Sequence, residues 1–507
     1  MAASEKAIMK LANGSDVRGV AVAGVADEKV NLTPETVSRV TVGFMQFLQQ
    51  KLKKKAVDLK VAVGHDSRIS APELKKAVLG TLNALGVAAT DCGMASTPAM
   101  FMSIVFPETK MDGAVMITAS HLPYNRNGLK FFTKDGGTEH EDIEKILQTA
   151  ARCPEMQGDP GKAAKFDLIS LYAAHLCQKI REAFGGEEKP LGGMHIVVDA
   201  GNGAGGFFAD KVLSPLGANT EGSVFLAPDG MFPNHIPNPE NKQAMAAIRQ
   251  AVLDSQADLG LIFDTDVDRM SAVLKNGEEV SRNSLIGLMA AILAPKYPGS
   301  TIVTDSVTSD ELTVFLEQEL GLKHLRYMRG YKNVINECIR QNKMGVVSPL
   351  AIETSGHGAL SENYYLDDGA YLAVQLLIAA AKARREGKEL SSLIEKLGQP
   401  AESREYRLKI VGEEDFRAYG EIVLQAFAAR AKAKDIPQAI PSYEGVRLIF
   451  PNGWALLRMS LHDPNMPLNV ESREKGGVNA IVEQVKTLLH GFEALDMSVF
   501  NRYTREQ

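Results

Sequence analysis

One pattern occurs three times in the sequence: Val61-Ala-Val-Gly-His-Asp66, His195-Ile-Val-Val-Asp199 and Thr301-Ile-Val-Thr-Asp305. Each stretch is apolar, rich in β-branched residues and ends in Asp, and each is followed by a helical segment that stops at a glycine. β-Branched runs favour buried strands, and glycine commonly ends a helix. A strand followed by a helix, repeated at domain-sized intervals, predicts three related α/β domains with mixed sheets and helices on both faces.

The chain changes character near residue 400. Gly398-Gln-Pro-Ala is a typical linker. After it come one strand-like run, a helical stretch over 413–432, three more strand-like runs and a second helical stretch over 478–489. We therefore predict a smaller C-terminal α+β domain. The predicted domains are 1–160, 161–275, 276–398 and 399–507.

Composition limits the function classes. The 507 residues are 45% hydrophobic and 23% charged, close to the average of globular proteins. A net charge of −6 argues against a dedicated nucleic-acid binder. Four cysteines without a C-x-x-C spacing favour a reducing, cytoplasmic location over a disulfide scaffold or a structural zinc site. The longest apolar runs, 285–294 and 371–381, are too short for membrane helices and predict buried core helices.

Helix starts are marked by local signals. Ser70-Ala-Pro-Glu73 and Thr308-Ser-Asp-Glu311 match the capping-box pattern, which predicts Ser70 and Thr308 as N-caps. Thr33-Pro34 places proline at the first position of a helix.

Ser120 is a candidate reactive group. It ends the stretch Gly113-Ala-Val-Met-Ile-Thr-Ala-Ser120, where a buried strand meets a loop, and α/β proteins place reactive groups at such strand ends. The hydrolase pattern Gly-x-Ser-x-Gly is absent, and the adjacent His121 is poorly placed to act as a base for its neighbour. Taken alone, the segment also fits an ordinary loop serine.

The segment Asp264-Thr-Asp266-Val-Asp268-Arg269 follows another apolar strand. Its three carboxylates alternate along the chain, so in an extended loop they point to one side and repel unless a cation lies between them. An EF-hand is excluded because Arg269 and Lys275 stand where Gly and Glu are required. A few oxygen ligands on a short loop suit Mg²⁺, with a solvated acidic turn as the alternative.

Gly201-Asn-Gly-Ala-Gly-Gly206 matches G-x-G-x-x-G between a strand and a helix, the pattern of dinucleotide-binding folds. The ribose-binding acid expected about 20 residues later is badly placed. Glu221 precedes the next apolar run, and Asp229 ends that run but lies too far along the chain. We therefore favour a tight strand-to-helix turn.

Two further sets of side chains suit a phosphorylated sugar. Glu353-Thr-Ser355-Gly-His357 combines an acid, a hydroxyl and an imidazole around one glycine, which suits sugar hydroxyls but also occurs in ordinary loops. Basic residues lie in or beside these loop segments and together could form a cationic cleft for a phosphate. They are Arg18, Arg68, Lys130, Arg269, Lys332 and Arg458.

Taken in order, these segments resemble the α-D-phosphohexomutase superfamily, in particular its phosphomannomutase/phosphoglucomutase members. Thr118-Ala-Ser-His-Leu-Pro-Tyr-Asn-Arg-Asn-Gly-Leu-Lys130 resembles the phosphoserine loop T-A-S-H-N-P…N-G-x-K. Residues 264–269 resemble the metal loop D-G-D-x-D-R, and 353–357 the sugar loop E-x-S-G-H. Ser15-Asp-Val-Arg18-Gly19 resembles D-x-R-G, and Gly64-His-Asp-Ser-Arg68-Ile-Ser70 resembles G-x-D-x-R-x-S. The resemblance covers nearly the whole chain.

One motif departs from the superfamily. Its last phosphate loop, R-P-S-G-T-E-P with a further Arg soon after, is here Arg458-Met-Ser460-Leu-His462-Asp-Pro464, and the next arginine is Arg473. Leu and His replace Gly and Thr. We expect Arg458 and Ser460 still to bind phosphate, with His462 taking over part of the role of threonine.

The resemblance implies a mutase that interconverts hexose 1-phosphate and hexose 6-phosphate, of mannose, glucose or both, through a phosphoserine and a hexose 1,6-bisphosphate. Ser120 would carry the phosphoryl group and, with Asp264, Asp266 and Asp268, contact Mg²⁺. Lys130, His357 and Arg18 would serve catalysis. Substrate would be bound by eight side chains: Glu353, Ser355, His357, Arg269, Lys332, Arg458, Ser460 and His462.

The implied cofactors are Mg²⁺ and hexose 1,6-bisphosphate as an activator, and the implied partners are small sugar phosphates, with no nucleic acid and no membrane. The chain would be a monomer or a homodimer. Two alternatives remain: a catalytically weak mutase homologue that binds sugar phosphates as a regulator, and a nicotinamide-dependent enzyme that uses residues 201–206.

Overall fold

The computed structural model describes residues 5–460 and 463–502. Leu461 and His462, the two changed positions of the last loop, therefore lie outside the described residues. The chain divides into two compact units. The first unit holds the chain up to residue 285 together with 355–392, and the second holds 286–354 together with the chain from 393 onward.

A mixed eight-stranded sheet forms from the first part of the first unit, in the order β1-β2-β6-β5-β3-β4-β8 with β7 beside β6. Its strands are β1 (Ala12–Asn13), β2 (Asp16–Val20), β3 (Lys60–His65), β4 (Ala88–Met94), β5 (Gly113–Ile117), β6 (Arg126–Thr133), β7 (Gly136–Gly137) and β8 (Ala164–Lys165). Its helices are α1 (Glu5–Met9), α2 (Pro34–Leu52), α3 (Ala71–Ala84), α4 (Thr97–Val105) and α5 (His140–Arg152). The first repeated stretch is thus the strand β3, which runs parallel to β4 and β5.

The helix-start signals of this region are met in part. The N-cap Thr33 accepts a hydrogen bond from the amide of Thr36, and Pro34 begins α2 as predicted. The capping box at Ser70 is wrong, because Ser70 already has helical dihedrals and its hydroxyl instead accepts a hydrogen bond from Asn127. Of the later pair, Ser309 rather than Thr308 is the N-cap.

A second, four-stranded sheet follows in the first unit, in the order β12-β11-β10-β9. Its strands are β9 (Ile196–Asp199), β10 (Leu259–Phe263), β11 (Met270–Leu274) and β12 (Glu279–Val280). The helices of this part of the chain are α6 (Leu168–Ala183) and α7 (Lys242–Ser255). β9 and β10 are parallel, whereas β10 and β11 pair antiparallel from Phe263 opposite Met270. The acidic segment 264–269 is therefore the turn of a β-hairpin.

The third repeated stretch is β13 (Thr301–Thr304), which in the second unit lies between β14 (Lys323–Arg326) and β15 (Leu350–Ile352), parallel to both. In the first unit, β16 (Gly358–Leu360) and β17 (Leu366–Asp367) pair antiparallel. The helices of this region are α8 (Asn283–Leu293), α9 (Asp310–Val314), α10 (Tyr331–Lys343) and α11 (Gly369–Arg385). The apolar runs predicted to form core helices correspond to α8 and α11.

The chain ends in a smaller antiparallel sheet of order β19-β20-β21-β18-β22. Its strands are β18 (Glu402–Ile410), β19 (Val446–Phe450), β20 (Gly453–Leu457), β21 (Asn465–Ser472) and β22 (Leu495–Asp496). The helices of this region are α12 (Phe416–Ala433), α13 (Gly477–Leu489) and α14 (Val499–Arg502). Apolar residues of α12 and α13 pack on the strands in one core. The predicted fold class is confirmed, while the predicted domain boundaries stay predictions.

No helix of residues 5–460 and 463–502 combines the length and the hydropathy needed to cross a membrane.

A buried ion pair closes the end of β9. Nε2 of His235 lies 2.9 Å from Oδ2 of Asp199, and Nδ1 lies 3.0 Å from the carbonyl oxygen of Ile236. Because both partners are acceptors, the imidazole is held as the cation. Burial alone would lower the pKa of His235, but the Asp199 carboxylate outweighs it and raises the pKa.

We predict that this pair stabilises the fold most at low pH. The difference in melting midpoint between wild type and His235→Gln should be largest below about pH 6.5, where unfolded and folded chains are both protonated. It should shrink as the pH rises through the higher pKa of the folded state. Scanning fluorimetry across pH, with the exposed-histidine variant His140→Gln as the control, checks this. A difference that is constant or grows with pH would contradict it.

Candidate active site

Ser120 lies in the loop between β5 and β6, buried and with a left-handed backbone (φ 50°). Its hydroxyl accepts a hydrogen bond from Nη2 of Arg269 at 2.7 Å and donates one to Oδ2 of Asp264 at 3.0 Å. A non-glycine residue adopts this conformation only where its surroundings enforce it. The loop therefore presents the hydroxyl in a fixed position between a guanidinium and a carboxylate.

Arg68 enforces the conformation of that loop. Its fully buried guanidinium donates hydrogen bonds to four loop carbonyls: Nη2 to Ser120 at 2.5 Å and Leu122 at 2.6 Å, and Nη1 to Pro123 at 2.7 Å and Arg126 at 2.9 Å. Such a fan of planar donors is available only to arginine. Arg68 thus clamps the backbone that carries Ser120.

Asp66, at the end of the first repeated stretch, supports the same loop. Its Oδ2 accepts a hydrogen bond from the Thr118 hydroxyl at 2.7 Å, which in turn accepts one from the Ser120 amide at 3.0 Å. The Asp66 carboxylate also lies 3.3 Å from Nε of Arg68. Burial raises the pKa of Asp66 to about 6, with the Arg68 charge opposing it.

The hairpin turn 264–269 holds three carboxylates out of water. Asp264, Asp266 and Asp268 are fully buried, and each offers an oxygen within 4.8 Å of the others. Burial and the charges of Asp268 and Asp266 raise the pKa of Asp264 well above its usual range. Oδ1 of Asp266 and Oδ1 of Asp268 have no hydrogen-bond partner among the residues that the structure describes. Orphaned carboxylate oxygens at such close range fit a divalent cation.

Two basic side chains neutralise part of this charge. Nζ of Lys130, on β6, lies 2.5 Å from Oδ2 of Asp268 and 3.4 Å from Oδ2 of Asp266. Nε of Arg269 lies 3.3 Å from Oδ2 of Asp264. These two cations do not offset all three carboxylates, so negative charge is left for a bound metal to neutralise.

Thr97, at the start of α4, fixes the middle carboxylate. Its amide donates to the carbonyl oxygen of Asp266 at 2.8 Å, and its hydroxyl donates to Oδ2 of the same residue. The remaining oxygen, Oδ1, is therefore the one left for a ligand.

His357 lies at the edge of the acidic turn. Its Nδ1 is 2.5 Å from Oδ2 of Asp367 and 3.8 Å from Oδ1 of Asp268, and its backbone bridges Arg269. Burial alone would lower the pKa of His357, but the Asp367 and Asp268 carboxylates outweigh it and raise the pKa to about 9. This imidazole is therefore held protonated, as a donor of a proton or a hydrogen bond.

His121 has the opposite character. Nη2 of Arg269 donates to its Nδ1 at 2.5 Å, so that nitrogen carries no proton. Burial and the Arg269 charge hold the pKa of His121 far below its usual range. The side chain is neutral, and its Nδ1 lies 3.3 Å from the Ser120 hydroxyl, closer than the sequence led us to expect, but its lowered pKa makes it a weak base.

Arg18 and Ser355 lie in the same unit. Arg18, on β2, pairs with Asp16 at 2.8 Å and lies opposite Gly128 of β6, the strand that follows the Ser120 loop. Ser355 is buried beside Gly356, whose carbonyl accepts from the Met270 amide at 3.3 Å. The first unit thus gathers Ser120, Lys130, Asp264, Asp266, Asp268, Arg269 and His357.

The glycine-rich segment 201–206 supports the acidic turn. A Cβ on Gly203 would lie 2.6 Å from the carbonyl oxygen of Thr265, and the Ala204 amide donates to that oxygen at 2.8 Å. A Cβ on Gly206 would lie 2.3 Å from the carbonyl of Leu226. Protein backbone fills the space beside these glycines, which explains the G-x-G-x-x-G pattern without a dinucleotide.

The remaining candidates lie in the second unit. The Glu353 carboxylate accepts from the Gly330 amide at 2.7 Å, and Lys332 is in the first turn of α10. Arg458 follows β20 and lies 3.6 Å from Glu444. The Ser460 hydroxyl accepts from the Asp463 amide at 3.2 Å, while His462 lies outside the described residues.

Several supporting residues escape sequence reasoning. Arg68 and Asp66 stand within a quoted motif, but nothing in their spacing reveals that they hold the Ser120 backbone. Thr97 and Asp367 lie in no motif. Thr97 contacts Asp266, 169 positions along the chain, and Asp367 contacts His357, 10 positions before it. The one signal in the sequence was an aspartate at the end of a strand with an arginine two positions later.

We predict that Arg68→Lys impairs both stability and catalysis. Lysine cannot reach four carbonyls, and buried groups left without partners cost on the order of 3 kcal/mol. A lower melting midpoint and a lower kcat per folded molecule are expected, from fluorimetry and steady-state assay.

Arg39→Lys is a matched control, since Arg39 also donates to backbone carbonyls, those of Ala150, Ala151 and Cys153 around the end of α5. It should lose stability while keeping kcat. A wild-type kcat in Arg68→Lys would show that the clamp does not position Ser120.

Comparison with known proteins shows which family this chain resembles. Three phosphoglucomutase/phosphomannomutase domains match in succession: alpha/beta/alpha domain I over residues 9–155, domain II over 171–277 and domain III over 281–400. Together they account for most of the chain.

Relatives match over similar lengths. A phosphomannomutase/phosphoglucomutase of Pseudomonas aeruginosa is 28% identical, over 87% of this chain and 88% of that protein. A phosphoglucomutase of Neisseria gonorrhoeae is 28% identical, over 87% of this chain and 92% of that protein. A crystal structure of a family protein from Burkholderia thailandensis has the same fold, with a TM-score of 0.77 at 24% identity over 96% of this chain and 98% of that one. With three successive family domains in their expected order, this chain belongs to the phosphoglucomutase/phosphomannomutase family.

Proposed function

We propose that this family member interconverts hexose 1-phosphate and hexose 6-phosphate, of glucose, mannose or both, through a phosphoserine at Ser120 and a hexose 1,6-bisphosphate. The observation that carries the proposal is the position of the Ser120 hydroxyl, 2.7 Å from the Arg269 guanidinium and 3.0 Å from the Asp264 carboxylate of the acidic turn. A serine oxygen between a cation and a metal-type carboxylate cluster is arranged for phosphoryl transfer.

Each half of the cycle exchanges one phosphoryl group. With Ser120 phosphorylated, a sugar hydroxyl attacks the phosphorus, loses its proton to a base and releases the serine oxygen. The bisphosphate then reorients, the serine oxygen attacks its other phosphate, and the sugar oxygen that leaves takes back the proton from the base, which gives the isomeric monophosphate. Atoms and charge balance, because the sugar gains and then returns one phosphoryl group.

The residues of the chain divide this work. Arg269 donates to the serine oxygen and stays within reach of a phosphoryl oxygen on it. Lys130 and His357 are the candidates for moving the proton of the sugar hydroxyl, and the protonated state of His357 suits the acid role. Glu353 and Ser355 suit the sugar hydroxyls, while Lys332, Arg458 and Ser460 suit the phosphate that does not react.

Asp264, Asp266 and Asp268 would hold Mg²⁺, with the Ser120 oxygen as a further ligand. The orphaned Oδ1 atoms of Asp266 and Asp268 support this assignment. Bound Mg²⁺ supplies charge that offsets the negative charge on the transferring group. Hexose 1,6-bisphosphate would act as the activator that first phosphorylates Ser120. A cytoplasmic location and a monomeric or homodimeric state remain predictions.

The test is to load the protein with glucose 1,6-bisphosphate and measure intact mass beside a coupled assay with glucose, mannose and glucosamine phosphates. Wild type should gain one phosphate and turn over at least one sugar. Ser120→Ala should lose the adduct and reduce kcat by at least ~10³-fold, because the covalent carrier is gone.

Ser103→Ala is the control, since that buried hydroxyl bonds only within its own helix, to the carbonyl of Met100. A phosphorylated and active Ser120→Ala would remove Ser120 from the mechanism. Binding of sugar phosphates without any turnover by wild type would instead favour the regulatory homologue.

A further inference from the structure

A loop over residues 225–241, which forms no helix or strand, packs against the clamp residue Arg68. Cζ of Arg68 lies 5.2 Å from the centre of the Phe232 ring, a cation–π contact. A Cβ on Gly230 would lie 2.4 Å from the amide nitrogen of Ile69, so the loop fits tightly against the turn that carries Arg68. The loop therefore borders one of the two arginines that hold the reactive serine.

The same loop reaches the second arginine, Arg269, through Asn238. Oδ1 of Asn238 accepts a hydrogen bond from Nη1 of Arg269 at 3.2 Å and another from the backbone amide of Glu240 at 3.0 Å. Because both neighbours are donors, the side-chain oxygen of Asn238 rather than its amide nitrogen faces them. Within residues 5–460 and 463–502, Asn238 is the one hydrogen-bond acceptor of that Nη1.

The guanidinium of Arg269 is planar and rigid, so a contact that fixes one of its nitrogens also directs the others. Its Nε donates to Oδ2 of Asp264 at 3.3 Å, and its Nη2 donates to the Ser120 hydroxyl at 2.7 Å. Asp264 and Asn238 thus hold the plane at two of its three nitrogens, while the third points at the serine. Asn238 is uncharged, so the positive charge of Arg269 stays available for a phosphoryl group on Ser120.

The loop is fastened to the second sheet beside β9. The side chain of Asn202 donates to the carbonyl oxygen of Ala227 at 2.8 Å and accepts from Nδ2 of Asn234 at 2.8 Å. The next residue, His235, forms the buried ion pair with Asp199 at the end of β9. These contacts lie on both sides of the loop tip and hold its later part, which carries Asn238, in one place.

We propose that Asn238 is a positioning residue of the active site, which holds the Arg269 guanidinium against the Ser120 hydroxyl. The inference rests on the proposed function, since that function gives Arg269 its role toward the phosphoryl group. It also explains the asparagine of the glycine-rich segment, because Asn202 anchors the loop that supplies Asn238.

The direct test is the position of Arg269 in crystals of the full chain, compared between wild type and Asn238→Ala. In wild type, Nη2 of Arg269 should lie within hydrogen-bond distance of the Ser120 hydroxyl. In Asn238→Ala the guanidinium should leave that position or occupy more than one, because Nη1 has lost its acceptor. Asn238→Asp keeps an acceptor oxygen of the same reach and should restore the wild-type position.

In an active enzyme, the same variants separate kcat from KM. Asn238→Ala should lower kcat by about 10-fold to 100-fold, the loss expected when a group beside the reacting atoms is misplaced. KM for glucose 1-phosphate should change little, because Asn238 contacts Arg269 and not the sugar. Asn238→Asp should recover most of the lost kcat.

Asn241→Ala is the matched control, because Asn241 ends the same loop and caps α7 through the amides of Gln243 at 2.9 Å and Ala244 at 3.1 Å. Loss of this cap should lower the melting midpoint but leave Arg269 and kcat as in wild type. If Asn238→Ala does not fold, Asn238→Ser takes its place. The serine hydroxyl can still accept from the amide of Glu240 but is too short to reach Arg269.

The outcomes separate this inference from the proposed function. A guanidinium displaced in Asn238→Ala but not in Asn241→Ala supports the positioning role, whether or not wild type turns over sugar phosphates. An Arg269 that keeps its place in the folded Asn238 variants overturns the role even if mutase activity is present. In an active enzyme, an equal fall of kcat in Asn238→Ala and Asn241→Ala overturns it as well.

Discussion

The first unit is organised around the repulsion between three carboxylates buried in the turn of one hairpin. Three such charges within five residues are unstable unless cations surround them. Lys130 reaches Asp268 and Asp266 from β6, and Arg269 reaches Asp264 from within the turn. Lys130, Arg269 and the protonated His357 face four carboxylates, those of the turn and Asp367, so the turn favours a further positive charge.

The backbone around the turn is shaped by the same constraint. Thr97 holds Asp266 through two hydrogen bonds, and the close approach of Gly203 to Thr265 leaves no room for a side chain. Arg68 holds the facing loop so that Ser120 meets Asp264 and Arg269. Ser120 is therefore positioned by contacts with residues far away in the chain, and two of them, Asp264 and Arg269, belong to the acidic turn itself.

The sequence predicted the parts of this arrangement that depend on local pattern. The three repeated strands, the buried helices α8 and α11 and the alternation of the acidic turn follow from hydrophobic periodicity and residue spacing. Local pattern failed where a distant contact decides. Ser70 has helical dihedrals and makes no side-chain hydrogen bond to the start of α3, because its hydroxyl is turned toward Asn127.

The same limit applies to the functional residues: those in local motifs can be predicted, and those that act through distant contacts cannot. Residues that carry chemistry stand in motifs, so Ser120, the three aspartates, Lys130 and His357 could be named from the sequence. Arg68, Thr97 and Asp367 position those residues through contacts that only the folded chain creates.

The central claim is that the acidic turn is completed by a divalent cation beside Ser120. Crystals of the full chain soaked in Mn²⁺, with data collected for its anomalous signal, test this most directly. We expect one strong peak bonded to oxygens of Asp264, Asp266 and Asp268 and adjacent to the Ser120 hydroxyl. A peak at the neighbouring group of Asp268, His357 and Asp367, or no peak at either group, would contradict it.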